Sequence, residues 1–278
     1  MVLELLVNPK KFSGKRWEMF FIGFAFTLIS VLLSVWVFKG YVSIVMVSLI
    51  SIVSVPFLLK MLEIEEEKGI KIFKEIKLLK EHSKALLMMV YLFFGVVAGF
   101  LLIYIFMPFN LVQEIFRIQI DTITAVNTTP TGAFIENFSF FSRILLNNLK
   151  ILFFCLVFSL FFGVGAFFIL IWNASVMATA IGTSVRNALA SLGSGTASYF
   201  HVVSFSILKY LTHGIPEIGG YFVGALAGGI LSVSIIRNKF MNKKFKHVLL
   251  DVVDLVLIAI VLLLLAGVIE AFINPLIF

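Results

Sequence analysis

The chain has 278 residues, 61% of them hydrophobic and only 13% charged, with 32 phenylalanines. A soluble domain averages about 45–50% apolar and about 25% charged residues, so no water-soluble fold of this length could hide so much apolar surface. What is left is an all-α, polytopic membrane protein of roughly six or seven spans at about 20 residues each. The net charge of +7 is concentrated in short blocks beside apolar runs, the pattern of cytoplasmic membrane flanks rather than of a nucleic-acid surface.

Residues 1–16 end in Lys10, Lys11, Lys15 and Arg16, and a first span is predicted from about Trp17 to Phe38. That run is too long for a signal-peptide core and no small-x-small site follows it, so it is expected to persist as a span. Lys39-Gly40 reads as a tight turn, and a second span from about Tyr41 to Lys60 contains Pro56, a kink or end point. Residues 1–60 thus form a transmembrane hairpin. Residues 61–84 carry Glu63, Glu65, Glu66, Glu67, Glu75 and Glu81 against six lysines, with apolar residues at helical spacing. They are expected to be one cytoplasmic amphipathic charged helix leading into a five-span core, residues 85–278.

In that core a third span, about Ala85 to Met107, stops at Pro108. The connection 108–146 begins with helical spacing from Leu111 to Val126, read as an amphipathic helix in the interface plane. A turn-rich tip follows at Asn127–Gly132; the glycosylation triplets at Asn127 and Asn137 are short enough to recur by chance. A fourth span is predicted from Asn147-Asn148 to about Trp172, with Asn173 at its end. Residues 174–190, rich in small side chains, read as an inner-surface or partly re-entrant helix, with Arg186 at the inner surface. A short crossing at about 198–212 leads to a turn, His213-Gly214-Ile215-Pro216-Glu217. The next span, Glu217 to about Ile236, has Gly220, Gly224 and Gly228 four apart on one face suited to close packing. After the basic block 237–246, a last span runs from about Leu249 to Phe272.

The basic blocks at 10–16, 60–84 and 237–246 belong inside, and 108–146, with only Arg117 and Arg143, outside. Parity then requires seven crossings, with the N-terminus inside and the C-terminus outside. This brings Asn147, Asn148, His213, Glu217 and Glu270 to one outer level, with Asn173 as a further polar candidate. An acidic residue within an apolar run is costly, on the order of 3 kcal/mol at the bilayer centre on insertion scales, and points to function. Glu217 can act with His213 and Glu270 as a proton or cation ligand, or simply complement the dipole of a helix starting at Pro216. A zinc site is poorly supported, because His213 and Glu217 are expected across a turn and not on one helix face. No serine sits in a nucleophile-elbow context, no strand precedes the glycines at 219–229, and Cys155 is the single cysteine. The chain is therefore expected to be no enzyme, with no cofactor and no metal.

Asn147-Asn148-Leu149, the glycine-containing run ending at Asn173, the His213-Gly214-x-Pro216-Glu217 segment and Ile269-Glu270-Ala271-Phe272-Ile273-Asn274-Pro275 resemble the stage II sporulation protein M family over about residues 85–278. The resemblance implies a five-span membrane scaffold that recruits peptidoglycan-degrading partners. On that basis the protein is expected to be a multi-pass, non-enzymatic scaffold of the cell membrane. It would be homodimeric and would organise cell-envelope proteins through segments 108–146 and 61–84, in contact with the lipid bilayer and with no nucleic acid. The alternative is a channel or transporter with an outer-leaflet polar site at His213, Glu217 and Glu270. The two separate on one observation: glutamates sharing a cavity favour transport, and glutamates pointing apart to the headgroups remove it.

Overall fold

A computed structural model of the chain describes residues 16–71, 75–126, 134–162, 165–191, 196–237 and 243–277. Among these there is no strand. In hydrocarbon each backbone N–H and C=O must be satisfied within its own segment, and long apolar runs therefore wind into helices. The elements are α1 (Arg16–Val37), α2 (Val42–Lys71), α3 (Glu75–Phe106), α4 (Phe109–Ile115), α5 (Arg117–Val126), α6 (Phe134–Phe162), α7 (Ala166–Ser191), α8 (Thr196–Arg237) and α9 (Lys243–Val268), then a π-helical turn (Ile269–Ile273) and α10 (Asn274–Ile277). Seven of the helices are long and apolar enough to cross a membrane. The protein is a seven-span helical membrane protein.

Gly40 turns α1 into α2 at φ 87°, a left-handed conformation that glycine adopts without a Cβ clash. Helix α8 is the hub. It packs against α9, α6, α7, α2 and α3, and every residue from Tyr221 to Ile230 is buried. Its glycine face serves two neighbours. A Cβ at Gly220 would lie 3.0 Å from the Ala259 carbonyl of α9, and one at Gly228 would lie 2.8 Å from the Leu156 carbonyl of α6. Small residues are what lets membrane helices approach this closely. The same device joins α1 to α3, where a Cβ at Gly23 would meet the Leu92 carbonyl at 2.2 Å and one at Gly95 the Phe20 carbonyl at 2.0 Å.

Three expectations are corrected. First, the charged stretch 61–84 is not one helix lying on the surface: α2 runs through Pro56 to Lys71, and α3 starts at Glu75. Where the two meet α9, Glu65, Glu66 and His82 are each only 1% exposed. His82 Nδ1 lies 2.8 Å from Glu65 Oε2 and Nε2 lies 3.0 Å from Asp251 Oδ2, while Lys68 Nζ donates to Glu65 Oε1 at 2.7 Å. Buried charges persist only when paired, and here the partners come from three different helices.

Second, 147–172 is not one span. Helix α6 begins thirteen residues before Asn147, and α7 takes over at Ala166, so the asparagine pair lies inside α6 and Asn173 inside α7. Residues 174–190 are the second half of a crossing helix, not an inner-surface piece. Arg186 donates to the carbonyls of Ile105 and Met107 at the C-terminal end of α3, far from the charged block, and lies over the Tyr104 ring. Free carbonyls at a helix C-terminus attract a cation. Third, His213–Glu217 is not a turn: α8 continues through Pro216 over 42 residues. The predicted short crossing and the span after it are one helix, so the number of crossings still comes to seven. The tip at 127–132, the basic residues 10–15 and Lys239 lie outside the described residues.

Candidate functional site

Three helices turn polar faces toward one another. On α6, Phe140, Arg143, Ile144, Asn147 and Asn148 recur at spacings of three and four; on α7, Asn173, Val176, Met177 and Ala180 do the same. On α8 the pattern is Tyr210, His213, Gly214, Glu217, Ile218 and Tyr221. Together with Thr122 and Ile123 of α5 and Glu270 of the π-helical turn, they line a cavity of about 600 Å³. All the polar residues singled out in the sequence (His213, Glu217, Glu270, Asn147, Asn148 and Asn173) line this one space. Glu270 lies nineteen residues beyond Asp251, or about 28 Å of helix. The cavity and the His82 network are therefore nearly a hydrocarbon thickness apart.

The backbone is irregular on both sides of the site. Pro216 lies inside α8 and has no N–H to give the Thr212 carbonyl. Across from it, the Asn274 N–H bonds the Ile269 carbonyl five residues back. Pro275 likewise cannot donate to Ala271, which leaves the chain free to widen into a π turn. Such turns are rare in helices and recur at functional sites.

Side chains converge at this level. One donor atom each from His213, Glu217 and Glu270 lie within 4.8 Å of one another. Tyr221 Oη lies 2.9 Å from Glu217 Oε1 and 3.0 Å from Asn148 Oδ1. A hydroxyl has one proton, so it satisfies one of these acceptors at a time. Asn148 is 3% exposed, and its Nδ2 has no hydrogen-bond partner. Asn173 Nδ2 is already engaged with the Ile169 carbonyl at 2.8 Å, which leaves that side chain's oxygen for the cavity.

Beside the cavity, Asn274 Nδ2 lies 2.8 Å from His213 Nδ1. Which of the two groups donates depends on the ring tautomer: with the amide turned over, Nδ1 carries the proton and gives it to the amide oxygen. Asn274 is held at both ends, its Oδ1 accepting from Thr212 Oγ1 at 3.0 Å and its Nδ2 donating to the Lys209 carbonyl at 3.4 Å. A metal ion would need the lone pair of the ring nitrogen that faces the acids, which one of the two tautomers supplies. Tetrahedral zinc would place its ligand atoms roughly 3.4 Å apart; these three lie within 4.8 Å of one another. Two carboxylates and a histidine form a ligand set that could hold a metal ion, with His213 and Glu217 four apart on one helix.

Neither Glu217 nor Glu270 has a lysine or arginine ion-pair partner among the described residues. Arg143, also on the cavity wall, is exposed. Sequence reasoning missed Tyr221, which counts there as one more apolar residue although it stands four after Glu217. It also missed the role of Asn274, which is visible only once the π-helical turn sets it against His213.

The family profile described as Stage II sporulation protein M matches residues 23–275. An uncharacterized protein of Methanocaldococcus jannaschii is 31% identical over 163 residues, covering 57% of this chain and 84% of that protein. No solved structure matches. The profile reaches well beyond the 85–278 stretch of the motif resemblance and takes in most of α1 and all of α2. The chain belongs to the stage II sporulation protein M family.

Proposed function

We propose that this protein binds a small polar solute in the cavity between α6, α7, α8 and the π-helical turn, and carries it across the membrane. The observation behind this reading is the convergence of His213, Glu217 and Glu270 on a single space of about 600 Å³. That volume falls in the range of small-molecule sites, about 300–1,000 Å³. Two acids within apolar helices, with no lysine or arginine ion-pair partner among the described residues, are costly for a purely structural element, at up to about 3 kcal/mol each on insertion scales at the bilayer centre and less toward the outer level. A site that exchanges a charged solute gives that cost a use. The π turn and the mid-helix proline supply local irregularity on the two helices that carry the acids, which is where transporters tolerate non-helical backbone.

The scaffold reading rests on the family resemblance and needs no cavity. Purified protein in proteoliposomes separates the two. Uptake of Na⁺, Mn²⁺, ethylamine and phosphoethanolamine is followed for the native chain, Glu217→Gln, Glu270→Gln and empty vesicles. Transport of at least one probe by the native chain, reduced more than tenfold in both variants, supports the proposal. Flux equal to that of empty vesicles for all four leaves the scaffold.

A further inference from the structure

Resting on that reading, we infer that the solute is a small zwitterion, its ammonium held between Glu217 and Glu270 and its carboxylate or phosphate facing Arg143. The negative pole of the cavity is the carboxylate pair, whose oxygens lie within 4.8 Å of each other and of His213. Two carboxyls this close in an apolar surrounding either hold a proton between them or take up a cation, and an ammonium brings three donors for their free lone pairs. Tyr221 adds to the demand for donors, since its single proton cannot serve both Glu217 and Asn148.

A bare metal ion fits less well. Asn274 occupies His213 Nδ1 at 2.8 Å, so Nε2 is the ring nitrogen left for a ligand. The space is too large: at about 30 Å³ per water molecule, 600 Å³ corresponds to roughly twenty waters. A purely cationic solute leaves two features unused. Arg143 projects from the face of α6 that carries Asn147 and Asn148, and five residues separate it from Asn148, about 7.5 Å along the helix. A guanidinium there has five donors in a planar fork suited to carboxylate or phosphate. Between the poles, the buried Asn148 Nδ2 has no partner and needs an acceptor. Two acids, a cation and an orphan donor lining one cavity describe an amphoteric ligand.

The test uses the full chain in phosphatidylcholine nanodiscs, with melting followed by tryptophan fluorescence. β-Alanine and phosphoethanolamine are the zwitterions, ethylamine the cation alone, and Mn²⁺ and Zn²⁺ the metals. Parallel discs containing phosphatidylethanolamine ask whether the same chemistry arrives as a lipid headgroup. A zwitterion, free or lipid-borne, is expected to raise the melting temperature with saturation. Glu217→Gln should weaken its apparent affinity by roughly thirtyfold or more, as expected for losing one partner of a buried charge pair. Arg143→Gln, at an exposed position, should weaken it about two- to fivefold while leaving any ethylamine effect unchanged. Equal response to ethylamine and zwitterions with no effect of Arg143→Gln overturns the inference. So does a Mn²⁺ or Zn²⁺ shift lost in His213→Gln with no zwitterion response, although that result keeps a solute site. No shift with any probe overturns this inference, while the transport reading stands or falls on the proteoliposome uptake.

Discussion

Replacing His82 with alanine tests the buried network that joins α2, α3 and α9. The ring is 1% exposed and bridges Glu65 and Asp251, from helices seventeen and 169 residues away in sequence. Removing it leaves two buried carboxylates facing a gap, with only Lys68 still bonded to Glu65. Breaking a buried ion pair on one side costs about 3–5 kcal/mol, whereas replacing the whole group by well-packed apolar residues of similar volume is often close to neutral. For a chain of this size about 1 kcal/mol moves the melting temperature by roughly 2 °C. His82→Ala should therefore lower melting in detergent or nanodiscs by roughly 6–10 °C. The triple variant Glu65→Met/His82→Leu/Asp251→Leu should recover most of that loss. A single variant that melts within about 2 °C of the native chain would show that the three groups are not a buried, mutually dependent set. A triple variant as unstable as the single one would show that lost packing, not stranded charge, dominates.

Other consequences are quicker to check. Gly95→Ala pushes a Cβ to 2.0 Å from the Phe20 carbonyl, and should destabilise by about 1–3 kcal/mol or more through forced separation of α1 and α3. Gly219→Ala meets nothing nearer than Leu262 at 3.7 Å, and should be neutral or stabilising by up to about 1 kcal/mol. Comparative thermal melting separates the two. Arg186→Gln removes the donor to the Ile105 and Met107 carbonyls, and should cost about 2 kcal/mol with the cavity unaffected. A cysteine placed at 127–132 should react with an impermeant maleimide from outside the cell; labelling only from the cytoplasmic side would invert the proposed orientation.

The polar site was legible residue by residue, while the helix boundaries around it were not. A glutamate or histidine in an apolar run stands out singly, and all six polar positions read from the sequence line the cavity. Consecutive apolar helices, by contrast, blur together: Phe134 to Ser191 holds α6 and α7, and hydropathy sees a single greasy stretch with a polar tail. His82 was missed for the opposite reason. It sits in a run of glutamates and lysines that reads as solvated, and only the fold brings Asp251 to its other nitrogen. The close crossing of α1 and α3 carried a signal, Gly95 and Gly99 four apart, but its partner Gly23 lies seventy-two residues away from Gly95.

The reading of His213–Glu217 as a turn fails for an instructive reason. In water, glycine followed by proline ends a helix, because solvent takes up the hydrogen bonds that proline cannot make. Inside a bilayer no solvent does so, and ending the helix would strand several backbone groups at several kcal/mol each. Continuing through Pro216 strands only the Thr212 carbonyl. Helix α8 takes the cheaper course, and its neighbours concentrate polar side chains around the defect. Thr212 Oγ1 donates to Asn274 Oδ1, Asn274 meets His213, and Glu217 follows one position after the proline. The π-helical turn facing it arises from the same chemistry, at Pro275. Two prolines, fifty-nine residues apart in sequence, thus put irregular backbone on both sides of the cavity. The acids at 217 and 270 sit where the membrane's demand for regular helix has already been relaxed.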